Sequence, residues 1–123
     1  MENIQKYLQH SRQLALNAAE NGNSAVGAVV VQNGVVVGAA EEAGRSKNDV
    51  TCHAEIEAIR RAIQFLSTND LSDCYLVSTH EPCVMCAYVI RFHRLAAVYY
   101  EQKVETVGSI NSKHPILIDA DFW

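Results

Sequence analysis

The sequence predicts an α/β fold in which a mixed sheet is covered by helices, and three observations carry that expectation. Apolar residues recur every three or four positions near the N-terminus and again after His53, as they do on helices with one buried face. Two β-branched runs bracket an Asn-Gly pair, the strongest short signal for a tight hairpin. The second half then runs strand, helix, strand, a succession that closes a parallel pair by a right-handed crossover.

Taken in order, Ile4, Tyr7, Leu8, Ser11, Leu14, Ala15, Ala18 and Ala19 form one amphipathic helix, which Asn21-Gly22-Asn23 stops. Residues 26–31 and 35–39 are strands separated by Gln32-Asn33-Gly34, and they pair antiparallel. Residues 41–48 are charged, small and aperiodic, a loop that leads towards His53. Ile56, Ile59, Ile63 and Leu66 lie three or four apart, so a second helix covers residues 54–66 with His53 at or near its start, and residues 67–72 break the pattern. Residues 74–79 read as a strand that ends in Glu81-Pro82. Pro82 suits the first turn of a third helix reaching Phe92, because its missing amide proton is not needed there. Residues 95–100 are strand-like, and Ile116-Leu117-Ile118 is a candidate short fifth strand. The tail ends in Phe122 and Trp123, aromatics that read equally as a cap on a pocket or interface and as core packing.

At 123 residues the chain reads as one domain spanning residues 1–123. With 49% apolar and 20% charged residues it has the material for a core, and its longest apolar stretch, around residues 25–31, is too short to span a membrane. Met1-Glu2-Asn3 opens an amphipathic pattern with no signal peptide, so a cytoplasmic, reducing setting is expected. There, four cysteines point to metal or thiolate roles in preference to disulfides. The formal net charge of −4 favours a small-molecule substrate over a polynucleotide, since nucleic-acid binding rests on excess Lys and Arg. Arg60-Arg61 and the pair Arg91 and Arg94 are the only local basic candidates, and solvated helix surface is their simpler reading.

Three soft ligands fall at element boundaries: His53 opens one helix, and Cys83 and Cys86 stand in the first turns of the next. Residues three apart share a helix face, and a helix N-terminus favours the thiolate form. Two thiolates and an imidazole make a three-ligand zinc site, and a count of three is that of catalytic zinc, which keeps a position for water. A fourth ligand from Cys52, Cys74 or His80 would make the site structural, and a core histidine beside buried or redox-active thiols is the plainer reading. Glu55 follows His53 by two residues and is the expected proton shuttle, provided that the site sits at the very first turn of the helix; otherwise it is a carboxylate favoured by the helix dipole.

His53-Ala54-Glu55 followed by Pro82-Cys83-Val84-Met85-Cys86 resembles the signature of the cytidine deaminase superfamily of zinc deaminases. The flanking Ala25-Val26-Gly27-Ala28-Val29-Val30-Val31 and the run from Thr51 to Arg60 extend the resemblance, and Glu81-Pro82-Cys83-Val84-Met85-Cys86 is closest to the branch of bacterial guanine deaminases and tRNA adenosine deaminases. The resemblance implies a three-layer α/β/α sandwich with a mixed five-stranded sheet, one zinc held by His53, Cys83 and Cys86, Glu55 as proton shuttle, and a homodimer or higher homo-oligomer. It also implies a hydrolytic deaminase that releases ammonia from a nucleobase, nucleoside or related heterocycle. Where such relatives carry an Asn, an Asp-Pro-Thr-Ala run and a small or aliphatic residue, this chain has Glu42, Asp49-Val50-Thr51-Cys52 and His80. Glu42, Asp49, His80 and Glu81 are therefore the expected substrate-side residues. A guanine-type small molecule is the favoured substrate. The alternatives are tRNA adenosine deamination to inosine and a catalytically silent zinc-binding subunit.

Overall fold

The computed structural model describes residues 3–122, so Met1, Glu2 and Trp123, with the readings placed on them, lie outside the described residues. Helix α1 (Ile4–Glu20) is opened by Asn3, whose side-chain oxygen accepts a hydrogen bond from Gln5 N at 3.1 Å. It ends at Asn21-Gly22, where Gly22 takes a left-handed φ of +81°. Strands β1 (Gly27–Gln32) and β2 (Val35–Glu41) pair antiparallel through a two-residue turn. Asn33 and Gly34 adopt φ of 50° and 77°, the geometry for which Asn-Gly is selected. The register shifts so that Val30 faces Gly38 and Val31 faces Val36, leaving Val37 as the extra residue of a β-bulge.

Helix α2 (Ala54–Leu66), strand β3 (Cys74–His80), helix α3 (Val84–Phe92) and strand β4 (Ala97–Gln102) complete the fold. The sheet order is β2-β1-β3-β4, with β3 antiparallel to β1 and β4 parallel to β3 across the α3 crossover. Alternation along the central strands separates two apolar layers. Val29, Val31 and Val77 meet Tyr7 and Leu8 of α1 on one face. Ala28, Val30 and Leu76 meet Ile56, Ile59, Cys86 and Ile90 of α2 and α3 on the other, which completes a three-layer α/β/α sandwich.

Among the described residues the sheet has four strands, not the expected five. Residues 116–118 form a turn after Pro115, because the Arg91 guanidinium takes the carbonyls of Ile116 and Asp119 at 2.7 and 2.5 Å and leaves no backbone edge for a ladder. Arg91 also lies over the Phe122 ring, 5.8 Å from its centroid, so this tail aromatic packs against α3. Helix α3 begins at Val84, two residues later than Pro82 predicted. Glu81 N still donates to Gln102 O at 2.8 Å, and Cys83 is extended, so the strand-like path continues through Pro82.

The buried Glu81 side chain ties the segment after β4 to this corner. Its carboxylate accepts from Val104 N at 3.1 Å, from Ile110 N and Asn111 N at 2.8 Å, and from Asn111 Nδ2 at 2.7 Å. Gly108 sits so close that an added Cβ would meet the Val104 carbonyl and the Glu81 carboxylate. The segment then pairs with the peptide before α3: Val84 N donates to Val107 O, and Ser109 N to Pro82 O.

Two outcomes follow from this packing. A Cβ at Gly38 would collide with the Ala58 carbonyl and lie 2.9 Å from Ala62 N, both backbone of α2. Gly38→Ala should therefore lower the unfolding free energy in urea by about 1–3 kcal/mol, and unchanged stability would contradict the close approach of α2 to β2. Burial works to raise the Glu81 carboxyl, but the hydrogen bonds from Asn111, Ile110 and Val104 outweigh it and hold the group below its ordinary value. The stability this supplies is fully present above the unfolded-state value of about 4.3 and is lost as pH falls through the lower folded value. Urea unfolding followed from about pH 7 to about pH 3 should show a shallower acid slope in Glu81→Gln, with lower stability at neutral pH; an acid slope equal to that of the parent would contradict it.

Candidate active site

The N-termini of α2 and α3 meet beyond the end of β3, and each is capped by a residue whose side chain makes no capping hydrogen bond. His53, at φ −66° and ψ 149°, caps α2, and Cys83, at φ −75° and ψ 176°, caps α3. Both side chains are thereby free to meet each other. His53 Nδ1 lies 3.6 Å from Cys83 Sγ and 3.4 Å from Cys86 Sγ, and the two sulfurs are 3.7 Å apart. An ion held at about 2.3 Å by each sulfur and about 2.0–2.1 Å by the nitrogen, at tetrahedral angles, requires separations of about 3.8 Å between sulfurs and about 3.5 Å from nitrogen to sulfur. The three donors fit zinc on that test. Among the described residues they form the one group placed to share a metal ion, and Cys52, Cys74 and His80, the possible fourth ligands, stand outside it. Cys74 is in the core beneath α2, and Cys52 is buried at the end of the loop that precedes α2.

The protonation states favour a cation. The hydrogen bond from the Cys86 thiol, helped by His53, pushes Cys83 down to about 4, while the same bond and burial drive Cys86 up. His53 is raised to about 8, first by its hydrogen bond with Cys83. One thiolate is thus held by proton donors from Cys86 and His53, and a divalent ion would replace those shared protons with coordination to both sulfurs.

Glu55 occupies the second position of α2 and is 4% exposed, and burial raises its carboxyl to about 7. The spacing of two that a regular helix face could not explain fits the cap: His53 is still extended, and Glu55 follows it in the first turn of α2 on the same cavity. A cavity of about 220 Å³ is lined by His53, Cys83, Glu55, Glu42, His80, Glu81, Ser24, Val26, Val104 and Val107.

Three of the four expected substrate-side residues line that cavity, and they differ in what they offer. Glu42 is half-buried, with Oε2 accepting from Gly44 N at 3.1 Å. His80 ends β3, with Nδ1 2.9 Å from Thr79 Oγ1, and burial lowers its pKa against the opposing pull of Glu101. Glu81 borders the cavity, yet its carboxylate is committed to Val104, Ile110 and Asn111 and holds the wall in place. Asp49 lies outside the cavity: it accepts from Thr51 N and Thr51 Oγ1 at 2.9 and 2.7 Å and shapes the turn before α2. Sequence reasoning missed Ser24, Val26, Val104 and Val107. Val26 is visible as the residue before β1, but Val104 and Val107 lie in an aperiodic stretch that the Glu81 bonds and the pairing with residues 82–84 bring to the cavity.

Three of the four candidate arginines are engaged within the molecule. Arg60 pairs with Glu57 and reaches Thr51 Oγ1 at 3.3 Å, Arg61 donates to the Ala39 carbonyl, and Arg91 holds residues 116 and 119. Among the described residues, no Lys or Arg lines the cavity.

Comparisons with known proteins agree with this geometry. The family model described as the cytidine and deoxycytidylate deaminase zinc-binding region matches residues 1–102. The chain is 40% identical over 111 residues to a tRNA(Ile)-lysidine synthase of Deinococcus radiodurans, covering 89% of this chain but only 19% of that protein. It is 33% identical over 111 residues to a tRNA-specific adenosine deaminase of Aquifex aeolicus, covering 90% of this chain and 74% of the relative. Among solved structures, one from a study of A-to-I editing by tRNA:A34 deaminases superposes with a TM-score of 0.85 at 35% identity, covering 88% of this chain and 78% of that one. Guanine deaminase from Bacillus subtilis superposes with a TM-score of 0.79 at 34% identity, covering 83% and 66%. A matched motif pair, a donor set that fits zinc and a shared fold lead to one conclusion: the chain belongs to the zinc-binding cytidine and deoxycytidylate deaminase family.

Proposed function

We propose that this chain is a hydrolytic deaminase of a small aminated heterocycle of the guanine type, built as one deaminase domain over residues 1–123. The observation that carries this reading is the cavity itself: it joins the metal-side His53 and Cys83 to a buried carboxylate, and among the described residues no Lys or Arg lines it. Its volume of about 220 Å³ is below the roughly 300–1,000 Å³ typical of sites for drug-sized ligands, which suits one heterocyclic ring system.

In this reading His53, Cys83 and Cys86 hold zinc with a fourth position open. The ion supplies Lewis acidity, which lowers the pKa of water towards about 7. Glu55 accepts a proton from that water and delivers it to a ring nitrogen beside the amino-bearing carbon. As the hydroxyl oxygen adds to that carbon, its negative charge cancels the positive charge left by protonation of the ring. Glu55 then takes the proton of the added hydroxyl and carries it to the amino group, the carbon–nitrogen bond breaks, and ammonia leaves with a carbonyl in its place. A carboxyl raised to about 7 by burial suits a group that must take and return a proton near neutrality.

Similarity to tRNA-specific adenosine deaminases favours a second reading, tRNA adenosine to inosine. The net charge of −4 and the engagement of Arg60, Arg61 and Arg91 inside the molecule weigh against it. A silent zinc-binding subunit is disfavoured because Glu55 is buried at the cavity, where a non-catalytic protein has no use for a desolvated carboxylate. Tyr88 and Phe92 stack on the exposed side of α3 at 51% and 53% exposure, apolar surface that supports assembly into a homodimer or larger homo-oligomer. A cytoplasmic setting belongs to the same proposal.

Ammonia release by zinc-loaded protein from a panel of free bases, nucleosides, triazines and tRNA tests the substrate: turnover of a free base with none of tRNA is the expected result, and the reverse overturns it. Glu55→Gln should retain one zinc per chain while losing about 100- to 10,000-fold in kcat. Near-parent turnover in that variant would remove Glu55 from the proposed role.

A further inference from the structure

Two polar side chains in the cavity have no part in the chemistry above, and one of them has a fixed tautomer. Thr79 is 3% exposed, and its Oγ1 accepts from Gly27 N at 3.2 Å while lying 2.9 Å from His80 Nδ1. A hydroxyl has one proton to donate, and a buried donor left without an acceptor is costly. Among the described residues, Nδ1 is the acceptor placed to receive it. Thr79 therefore donates to Nδ1, and the proton of the neutral imidazole is on Nε2. No side chain or carbonyl of the described residues takes that Nε2–H, so His80 offers the cavity a hydrogen-bond donor. Glu42 offers the complement: Oε2 is held by Gly44 N, and Oε1 is an open acceptor.

Resting on the deaminase reading, we propose that His80, locked by Thr79 as the Nε2–H tautomer, is a specificity-determining residue. It donates to a carbonyl oxygen or unprotonated ring nitrogen of the substrate, while Glu42 accepts an N–H of the same ring. The substrate class is an uncharged, amino-bearing heterocycle with a second acceptor on the ring and no phosphate, since Glu42 and Glu55 would repel an anion and no cation lines the wall. A residue that hydrogen-bonds a defined substrate atom discriminates strongly against analogues lacking it, because the buried donor is then unpaired.

The test has two arms. In the first, long-range nitrogen-15 NMR of the zinc-loaded protein should show His80 as the neutral ring with its proton on Nε2, and Thr79→Val should release that preference. A ring protonated on Nδ1 in the parent protein would overturn the proposal whatever the activity. In the second, guanine is compared with 7-deazaguanine, which lacks the N7 acceptor, and with 2-aminopurine, which lacks the carbonyl oxygen. Turnover and calorimetric binding are both measured. The parent should disfavour one analogue by roughly 10- to 100-fold. His80→Leu should flatten that preference through KM with kcat within a few-fold, and His80→Gln, which keeps an N–H near the Nε2 position, should restore most of it. Equal preference in parent and His80→Leu would overturn the proposal. If no member of the wider panel is deaminated, the deaminase reading fails, and the binding preference together with the tautomer still decides the role of His80.

Discussion

Everything at this site depends on two helix N-termini being brought to one point. A helix start leaves backbone amides unsatisfied and a positive end of the dipole, which favours thiolate and carboxylate there. Here the capping positions of α2 and α3 carry His53 and Cys83, neither of which caps its own helix, and the third residue into α3 is Cys86. Because both caps are extended, their side chains turn across the gap between the helices instead of along them. The donor separations of 3.4 to 3.7 Å follow from that arrangement. Glu55 comes with it, since the second residue of α2 must sit beside the cap of the same helix.

The sheet supplies the rigidity that keeps these starts together. α2 lies directly on the β1–β2 hairpin because Gly38 has no side chain to hold it off, and α3 is carried by the crossover that joins the parallel strands β3 and β4. A second tie runs through Glu81. Its carboxylate draws in residues 104–111, and these place Val104 and Val107 against the cavity next to the metal ligands. The match to the family ends at residue 102, so this wall is built by the part of the chain outside the shared region.

Much of this was legible in the sequence, and the exceptions have physical causes. The four Ile and Leu positions of α2 gave its bounds, and Asn33-Gly34 announced its hairpin, because both signals are local and strong. The convergence of His53, Cys83 and Cys86, with Glu55 on the same cavity, was legible for the same reason: few residue types offer donors to zinc, and their spacing is short. The start of α3 was misread because Pro82 fits a first helical turn by its own geometry, while the bond from Glu81 N to Gln102 O keeps the chain extended. The fifth strand was misread because Ile116-Leu117-Ile118 has strand composition, yet Arg91, 25 residues from Ile116, takes the carbonyl a ladder needs. The role of the Glu81 side chain was hidden for a similar reason, its partners being 23 to 30 residues away.

X-ray absorption at the zinc edge of the purified protein measures the central claim directly. The expected result is two sulfur scatterers at about 2.3 Å and two nitrogen or oxygen scatterers at about 2.0–2.1 Å, from Cys83, Cys86, His53 and one solvent oxygen. A third sulfur in the coordination shell, or protein that binds no zinc when metal is supplied, would contradict it.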